Sequence, residues 1–152
     1  MKPNRRTFLS SFPAAASGAL AAQGPAGGPG SIIDTNVYLG KWPGRDIGQG
    51  PTPELVAFLR GKGVRQAWAG SFDALLHKDI GRVNATLAEE CAKHGRNFLL
   101  PFGAVNPLLP DWEEDLRRCH EEYRMPGIRL HPNYQGYSLD HPAFLRLLAM
   151  AA

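Results

Sequence analysis

The sequence predicts an α/β fold built on parallel β-strands. From residue 31 onward, a short apolar segment, a polar turn and an amphipathic stretch follow one another four times. Strands that alternate with helices in this way are typical of parallel sheets. The segment from Asn97 to Gly103 is apolar on both faces, as expected of a parallel strand covered by helices. The pattern therefore predicts one α/β domain over residues 31–152.

The first two units have boundaries that the sequence marks. The first strand is predicted at 32–37, and its helix at 53–62 with Thr52 as the N-terminal cap. The second strand is predicted at 64–70 and its helix at about 78–94. A glycine follows each helix, and this residue commonly ends a helix.

The last two units repeat the pattern. The third strand is predicted at 98–105 and its helix at about 111–124, where acids in the first turn and arginines later in the helix suit its dipole. The fourth strand is predicted at 127–130. The last helix starts near Pro142, and the sequence ends inside it.

Four such units are half of a (β/α)8 barrel, which needs eight strands and roughly 250 residues. The sequence therefore predicts the N-terminal half of a (β/α)8 TIM barrel over residues 31–152, because it stops in the middle of a helix. The alternative is a complete four-stranded open α/β domain. In a half barrel we expect Phe98, Leu100, Ile128 and Leu130 to face the barrel interior without an opposing layer. Such a chain should dimerise, aggregate or bind a hydrophobic dye.

The N-terminal residues resemble an export signal. Residues 1–21 contain the pair Arg5 and Arg6, then an apolar stretch and a small-residue cleavage site, the order of a twin-arginine signal peptide. Residues 22–30, rich in Gly and Pro, are predicted to form a flexible linker. The alternative is a basic amphipathic helix on a cytosolic protein. The sequence thus predicts an exported protein located in the periplasm or another extracytoplasmic space.

Charge and hydropathy argue against nucleic acid as a partner and against a membrane span. The formal net charge is +3, and Lys2, Arg5 and Arg6 account for all of it, since residues 1–21 contain no acid. The domain itself is then nearly neutral and lacks a basic block, so nucleic acid is not a predicted partner. No segment beyond the signal is long and apolar enough to span a bilayer. We expect a small-molecule substrate.

The ends of the predicted strands carry the candidate functional residues, because the active site of a barrel lies where strands end and βα loops begin. Two segments stand out: Ser31-Ile-Ile-Asp34-Thr35-Asn36-Val37-Tyr38-Leu39-Gly40, and Gly127-Ile-Arg-Leu-His131-Pro with Leu139-Asp140-His141-Pro142 downstream. In order and spacing they resemble the N-terminal part of the amidohydrolase-related (amidohydrolase 2) metal-dependent hydrolase superfamily. The resemblance covers about residue 31 to the end of the sequence.

The resemblance implies a hydrolase or lyase that acts on a small carboxylated or cyclic substrate. Family members usually carry Asp-x-His-x-His at the first strand and bind a catalytic metal there. Asn36 and Tyr38 replace the two histidines, and neither is a good ligand for a transition metal. We therefore expect no metal in this chain. A divalent metal in full-length relatives would also use residues after the fifth and eighth strands, beyond Ala152.

Two residues are candidates for catalysis. His131 can serve as acid, base or hydrogen-bond donor near neutral pH; its alternative role is to fix the loop before Pro132. Arg129 can bind a substrate carboxylate through two parallel bonds; its alternative role is a buried structural ion pair. Asp34 can orient Arg129 or hold backbone groups.

Three further residues are candidates for substrate binding, each positioned after a predicted strand: Asn36, Trp42 and Asn106. The predicted function is an amidohydrolase-like enzyme present as an incomplete N-terminal fragment, which is expected to be inactive alone. The second hypothesis is a non-catalytic binding protein on the same scaffold. Residues after the missing strands would distinguish the two.

The export hypothesis makes the first testable prediction. Arg5→Lys together with Arg6→Lys should leave the precursor in the cytoplasm, because the twin-arginine route reads the arginine pair. Cell fractionation followed by immunoblotting measures the distribution. Lys2→Arg is the matched control and should be exported normally. Unchanged export of the double-lysine variant would refute the hypothesis.

Overall fold

The computed structural model describes residues 32–42, 44–45 and 50–152 of the chain. The predicted signal and linker at residues 1–30 lie outside the described residues. The described part forms an α/β fold with parallel sheets, which confirms the fold class predicted from the sequence. None of its helices is long and apolar enough to cross a membrane.

Strands and helices follow one another in the predicted order. The strands are β1 (Ile32–Leu39), β2 (Val64–Ser71), β3 (Leu99–Pro101), β4 (Gly103–Ala104) and β5 (Ile128–Arg129). The helices are α1 (Thr52–Gly61), α2 (Ile80–His94), α3 (Trp112–Glu121), α4 (Pro132–Gln135) and α5 (Pro142–Ala151). A 3-10 turn at Phe72–Leu75 follows β2. Neither this turn nor α4 was predicted.

The third predicted strand, 98–105, is wrong as a single element. It is divided at Phe102 into β3, which pairs in parallel with β2, and β4, which pairs in parallel with β5. Pro101 has no N–H group to continue the ladder, so the strand changes partner there. The Phe102 N–H still donates to Ala69 O (2.8 Å), and the Gly103 N–H donates to Gly127 O (3.2 Å). The strands therefore follow one another as β1-β2-β3/β4-β5.

Two predicted helix starts are also wrong. Thr52 does not cap α1 but lies inside it, and its hydroxyl donates to Glu90 Oε2 on α2 (2.7 Å). Helix α2 begins two residues later than predicted because the Asp79 carboxylate accepts the Arg82 N–H (3.0 Å) and caps it. Helix α3 is shorter than predicted and ends before Arg124, whose φ of +53° is incompatible with an α-helix.

The core lies between the strands and the helices. One cluster joins β1, β2 and β3 to α1 and α2; its buried members include Val37, Ala67, Leu59, Leu87 and Leu99. A second cluster lies under α3 and α5; it contains Val105, Trp112, Tyr137, Phe144 and Leu147, with Ile128 and Leu130 packed against it. The helix-facing side of the strands is therefore well packed.

The predicted inward orientation of Ile128, Leu130 and Phe98 is wrong. Ile128 and Leu130 pack against the helical cluster, because side chains alternate along a strand and Arg129 between them occupies the opposite face. Phe98 precedes β3 and lies in the first core cluster beneath the Arg60 guanidinium (4.9 Å to the ring centroid). Leu100 is half-buried and, by the same alternation, lies on the face opposite Leu99.

A buried asparagine fixes the two-residue strand β4. Asn84 on α2 is 1% exposed, and its amide accepts the Ala104 N–H and donates to Ala104 O, both at 2.8 Å. The same nitrogen lies 3.2 Å from Cys119 Sγ on α3. A strand of two residues makes few hydrogen bonds to its neighbours. The Asn84 side chain supplies partners for the Ala104 N–H and carbonyl that a longer strand ladder would otherwise supply.

The carboxyl group of Asp115 makes the stability of the fold dependent on pH. Asp115 on α3 is 8% exposed, and burial, reinforced by the nearby charge of Asp111, raises its pKa to about 6. The folded state therefore favours the protonated form. The stabilisation is fully present below the unfolded pKa of about 3.9 and is lost as pH rises through about 6.

Asp115→Asn should remove this penalty. We expect the variant to be more stable than the wild type at pH 7.5 by about 2 kcal/mol and equally stable at pH 4. Urea unfolding at the two pH values measures the difference. Asp140→Asn is the matched control with the opposite sign, because the Ser138 hydroxyl lowers the pKa of Asp140. Equal effects of Asp115→Asn at both pH values would contradict the prediction.

Candidate functional site

Polar and aromatic side chains meet at the carboxyl ends of the parallel strands. Val37 and Leu39 on β1 are buried beneath the helices, so Asn36 and Tyr38 face the other way. On the neighbouring strand Tyr38 is in register with Gly70. Arg129 reaches the same place from β5. The site therefore lies on the face that would be the interior and mouth of a barrel.

The Arg129 side chain joins three strands. Its Nη1 donates to Asn36 Oδ1 (3.0 Å), and its Nη2 donates to Thr35 O (2.8 Å) on β1 and to Trp68 O (2.6 Å) on β2. Asn36 and Arg129 are 93 residues apart in the sequence. A guanidinium with five fixed donors can satisfy several acceptors at once. Arg129 thereby connects the β4-β5 sheet to the β1-β2-β3 sheet.

A register shift in β1 accompanies these contacts. Asp34 is paired with Ala67 and Val37 with Ala69, so β1 has one extra residue between these two pairs. A β-bulge of this kind interrupts the ladder, and one of the carbonyls in the interrupted stretch, Thr35 O, is an acceptor of Arg129. The Asp34 carboxylate accepts the Asn36 N–H (2.9 Å) and so holds the bulge rather than orienting Arg129 directly.

Packing also holds the arginine in position. Its guanidinium carbon lies 4.6 Å from the centroid of the Tyr38 ring, a cation–π contact. A Cβ at Gly70 would lie 2.8 Å from Arg129 Cδ, so only glycine leaves room for the side chain. Both hydrogens of Arg129 Nη2 are already donated, to Thr35 O and Trp68 O. A guanidinium binds a carboxylate through two parallel N–H groups, either on Nη1 and Nη2 or on Nε and Nη2, and both pairs include Nη2. A bidentate substrate carboxylate would have to displace Thr35 O or Trp68 O.

Aromatic rings form one side of the mouth, here called the aromatic wall: Tyr38, Trp42, Phe72 and Tyr134. Tyr38 stacks on Phe72 (centroids 4.9 Å apart, 16° between planes), and Trp42 meets the edges of Phe72 (5.3 Å) and Tyr134 (6.3 Å). These rings come from the ends of β1 and β2 and from α4. The wall is a preformed apolar surface beside a fixed cation.

His131 lies next to the wall. Its ring centroid is 6.1 Å from that of Tyr38, and the residue is half-buried. Burial, together with the charge of Arg129, lowers the pKa of His131, so the imidazole is neutral at neutral pH. Its backbone carbonyl accepts the N–H groups of Tyr134 and Gln135 at the start of α4. The backbone of His131 thus fixes the start of α4, and these bonds do not require the imidazole ring.

The structure brings four of the five predicted site residues together. Asn36 and Arg129 are hydrogen-bonded to each other, Trp42 is part of the aromatic wall, and His131 lies next to the Tyr38 ring of that wall. Asn106 has a different set of contacts: its Oδ1 accepts the Leu108 N–H (3.0 Å), which closes the turn after β4. Whether any of them binds substrate stays a prediction.

Sequence reasoning missed two members of the wall, Phe72 and Tyr134. It considered Tyr38 only as a replaced metal ligand. The signal was present, because each of these aromatic residues falls at or just after the end of a predicted strand. Its weakness is that a single aromatic residue after a strand is common in cores and loops alike.

The residues of this mouth do not suit a transition metal. The Asn36 amide oxygen is engaged by a cation, and the Tyr38 ring lies beneath the same cation. A guanidinium at this point repels a divalent ion by simple electrostatics. Within the described ranges, no three His, Cys, Asp or Glu side chains group in a way that could hold a metal.

Comparison with known proteins finds solved structures of similar fold. Neither a protein-family model nor a curated protein matches this sequence. Solved structures with a similar fold include the 5-carboxyvanillate decarboxylase of Novosphingobium aromaticivorans, bound to manganese and 3-methoxy-4-hydroxy-5-nitrobenzoic acid. The two sequences are 23% identical, and the structures superpose with a TM-score of 0.54. The match covers 64% of this chain and 30% of the decarboxylase chain.

Two further structures are 2,6-dihydroxybenzoate decarboxylases. One, in complex with 2,6-dihydroxybenzoate, is 18% identical over 79% of this chain and 45% of its own. The other, from Rhizobium, is 17% identical over 79% of this chain and 46% of its own, and both have a TM-score of 0.54. At these identities the likeness concerns the fold alone, that of TIM-barrel decarboxylases. This chain spans less than half the length of each of them.

The contacts of Arg129 with Asn36, Thr35 O and Trp68 O are here called the arginine bridge. Conservative replacement of Arg129 should weaken this bridge and lower the stability of the fold. Arg129→Lys keeps the charge but cannot reach Asn36, Thr35 O and Trp68 O together, so it should lower the free energy of unfolding by about 1–2 kcal/mol. Gly70→Ala should have a similar effect because the added methyl group displaces Arg129. Urea unfolding followed by tryptophan fluorescence measures both.

The matched control is Arg96→Lys, at an exposed position in the turn before β3, at the opposite end of the strands from Arg129. It should unfold at the wild-type urea concentration. If Arg129→Lys unfolds there as well, the arginine does not hold the strands together.

Proposed function

We propose that this chain forms half of the active-site mouth of a barrel enzyme, a lyase or hydrolase acting on a small carboxylated ring compound. The observation that carries the proposal is the aromatic wall with the neutral imidazole of His131 and the cation of Arg129 beside it. Ligand sites are typically apolar clefts with a few fixed polar groups, and this arrangement has both. Its position at the carboxyl ends of parallel strands is where barrel enzymes work.

Decarboxylation is the reaction class we favour. The three structures of similar fold are decarboxylases of aromatic acids. An aromatic acid fits the mouth chemically, because its ring can stack on the aromatic wall and its negative charge is attracted by Arg129. We assign Trp42 and Tyr134 to the ring and Asn36 to holding Arg129 in place.

Decarboxylation breaks the bond between the ring carbon and the carboxylate carbon, and the ring carbon then takes up a proton. His131 would supply this proton after accepting it from a substrate hydroxyl group. A neutral imidazole can accept a proton from a hydroxyl group through one nitrogen and donate a hydrogen bond through the other. Because its pKa is lowered, this state persists to a pH below the ordinary histidine range near 6.5. Arg129 is a positioning residue in this scheme: its guanidinium is engaged by the protein and acts on the ligand through its field.

The proposed enzyme needs four more βα units to close the barrel. We infer that a single copy of the 152-residue chain binds the ring compound weakly and that turnover requires the completed barrel. The described residues of the mouth are unsuited to a metal, so any metal chemistry would depend on ligands outside this chain.

A second candidate function is a binding protein without catalysis on the same scaffold. The engagement of three of the five Arg129 donors by Asn36, Thr35 O and Trp68 O favours it, since a cation held by the protein contributes less to a reaction. Under this alternative, a ring acid binds at the aromatic wall and leaves unchanged.

Binding of 2,6-dihydroxybenzoate, followed by tryptophan fluorescence and by NMR shifts of His131, tests the proposal. We expect saturable binding that weakens at least tenfold in Trp42→Ala, because the wall loses a ring. His131→Asn should bind normally. Leu76→Ala, an exposed apolar residue outside the wall, is the matched control and should bind as the wild type does.

Release of carbon dioxide from the bound acid then distinguishes enzyme from binding protein. Turnover that disappears in His131→Asn while binding persists supports the lyase. Binding without turnover, even once the barrel is completed, supports the binding protein. Absence of saturable binding, or equal binding by Trp42→Ala and the wild type, would refute both assignments of the mouth.

A further inference from the structure

Among the described residues, the row of parallel strands has two unpaired edges that match each other. In the part of the chain that the structure describes, β1 pairs only with β2, and β5 pairs only with β4. All pairs are parallel, so both edges run in the same direction. An exposed strand edge presents free backbone donors and acceptors and is a template for a further strand.

Exposed apolar side chains concentrate at the same two ends. Of the ten large apolar residues exposed in the described part, six lie on the terminal elements: Ile32 and Ile33 on β1, Phe58 on α1, and Leu145, Leu148 and Met150 on α5. Phe58 is 60% exposed and Leu145 53%. Helix α1 follows the first strand along the chain, and α5 follows the last one. An apolar surface divided between two ends of one molecule fits a head-to-tail contact.

We propose that a second copy of this chain covers both ends. In this arrangement β1 of each copy pairs in parallel with β5 of the other, and α1 of each copy packs beside α5 of the other. Each copy brings four strand–helix units in the order β1-β2-β3/β4-β5, and a barrel of this class closes with eight. Two equivalent head-to-tail contacts related by a half-turn close the ring at two copies.

The exposed apolar area is large enough for such a dimer. Six large side chains that are about half exposed leave on the order of 500 Å2 per copy, or about 1,000 Å2 for the pair. Stable interfaces bury about 1,200–2,000 Å2 in total, and the two pairs of strand edges add the remainder. Closure also covers the inward face, where Leu100 is only half-buried.

The closed dimer has a consequence for the mouth. Each copy contributes one aromatic wall and one His131, so the two walls face each other across a single opening. A mouth that is open on one side in the single chain becomes a cleft with two sides. The inference rests on the strand edges and apolar faces and is independent of what the mouth binds.

Sedimentation of the 152-residue chain tests the proposal. The wild type should sediment at twice its chain mass of 16.6 kDa. Phe58→Glu and Leu148→Lys should each raise the dissociation constant at least tenfold, because each puts a charge into an apolar contact. The chain that carries both changes should regain the dimer, since the new acid and base then face each other across both contacts.

Leu139→Glu is the matched control, because Leu139 is 64% exposed and lies in the loop between α4 and α5 rather than on one of the four elements of the proposed contact. It should sediment as the wild type does, and circular dichroism should show that all variants are folded. A monomeric wild type, an open-ended series of larger species, or failure of the double change to restore the dimer would each overturn the proposal.

Discussion

The arginine bridge at the carboxyl ends of the strands is the contact on which the rest of the structure depends. The third strand divides at Phe102, so the β4-β5 sheet is only loosely continuous with the β1-β2-β3 sheet. Arg129 crosses this break and binds an amide and two backbone carbonyls on the first sheet. The space left at Gly70 and the bulge in β1 both serve this one side chain.

The bridge also explains the character of the mouth. It fixes a positive charge over the Tyr38 ring, and this charge disfavours a metal ion at the same point. Burial, reinforced by the same charge, lowers the pKa of His131. An aromatic wall beside a cation and a neutral imidazole favours an anionic ring compound. The chemistry we propose therefore follows from the placement of one residue that the protein itself engages.

Much of this could be predicted from the sequence. Parallel strands that alternate with helices bring their carboxyl ends to one edge, so Asn36 and Arg129 could be placed together despite the 93 residues between them. Predictions from local sequence patterns were wrong where two patterns conflict. Pro101 interrupts an otherwise continuous apolar run, and the inward Arg129 turns Ile128 and Leu130 toward the helices. The bulge depends on contacts between distant residues, which no local pattern contains, and the wall is marked only by single aromatic residues after the strands, a signal too common to be specific.

A double-mutant cycle between Asn36 and Arg129 measures whether this contact holds the two sheets together. The free energy of unfolding is measured for the wild type, Asn36→Ala, Arg129→Met and the double variant. If the two side chains hold β1 and β5 together, their effects are not additive, and the coupling energy is about 1 kcal/mol or more. Additive effects, with a coupling energy near zero, would show that the contact between Asn36 and Arg129 does not hold β1 and β5 together.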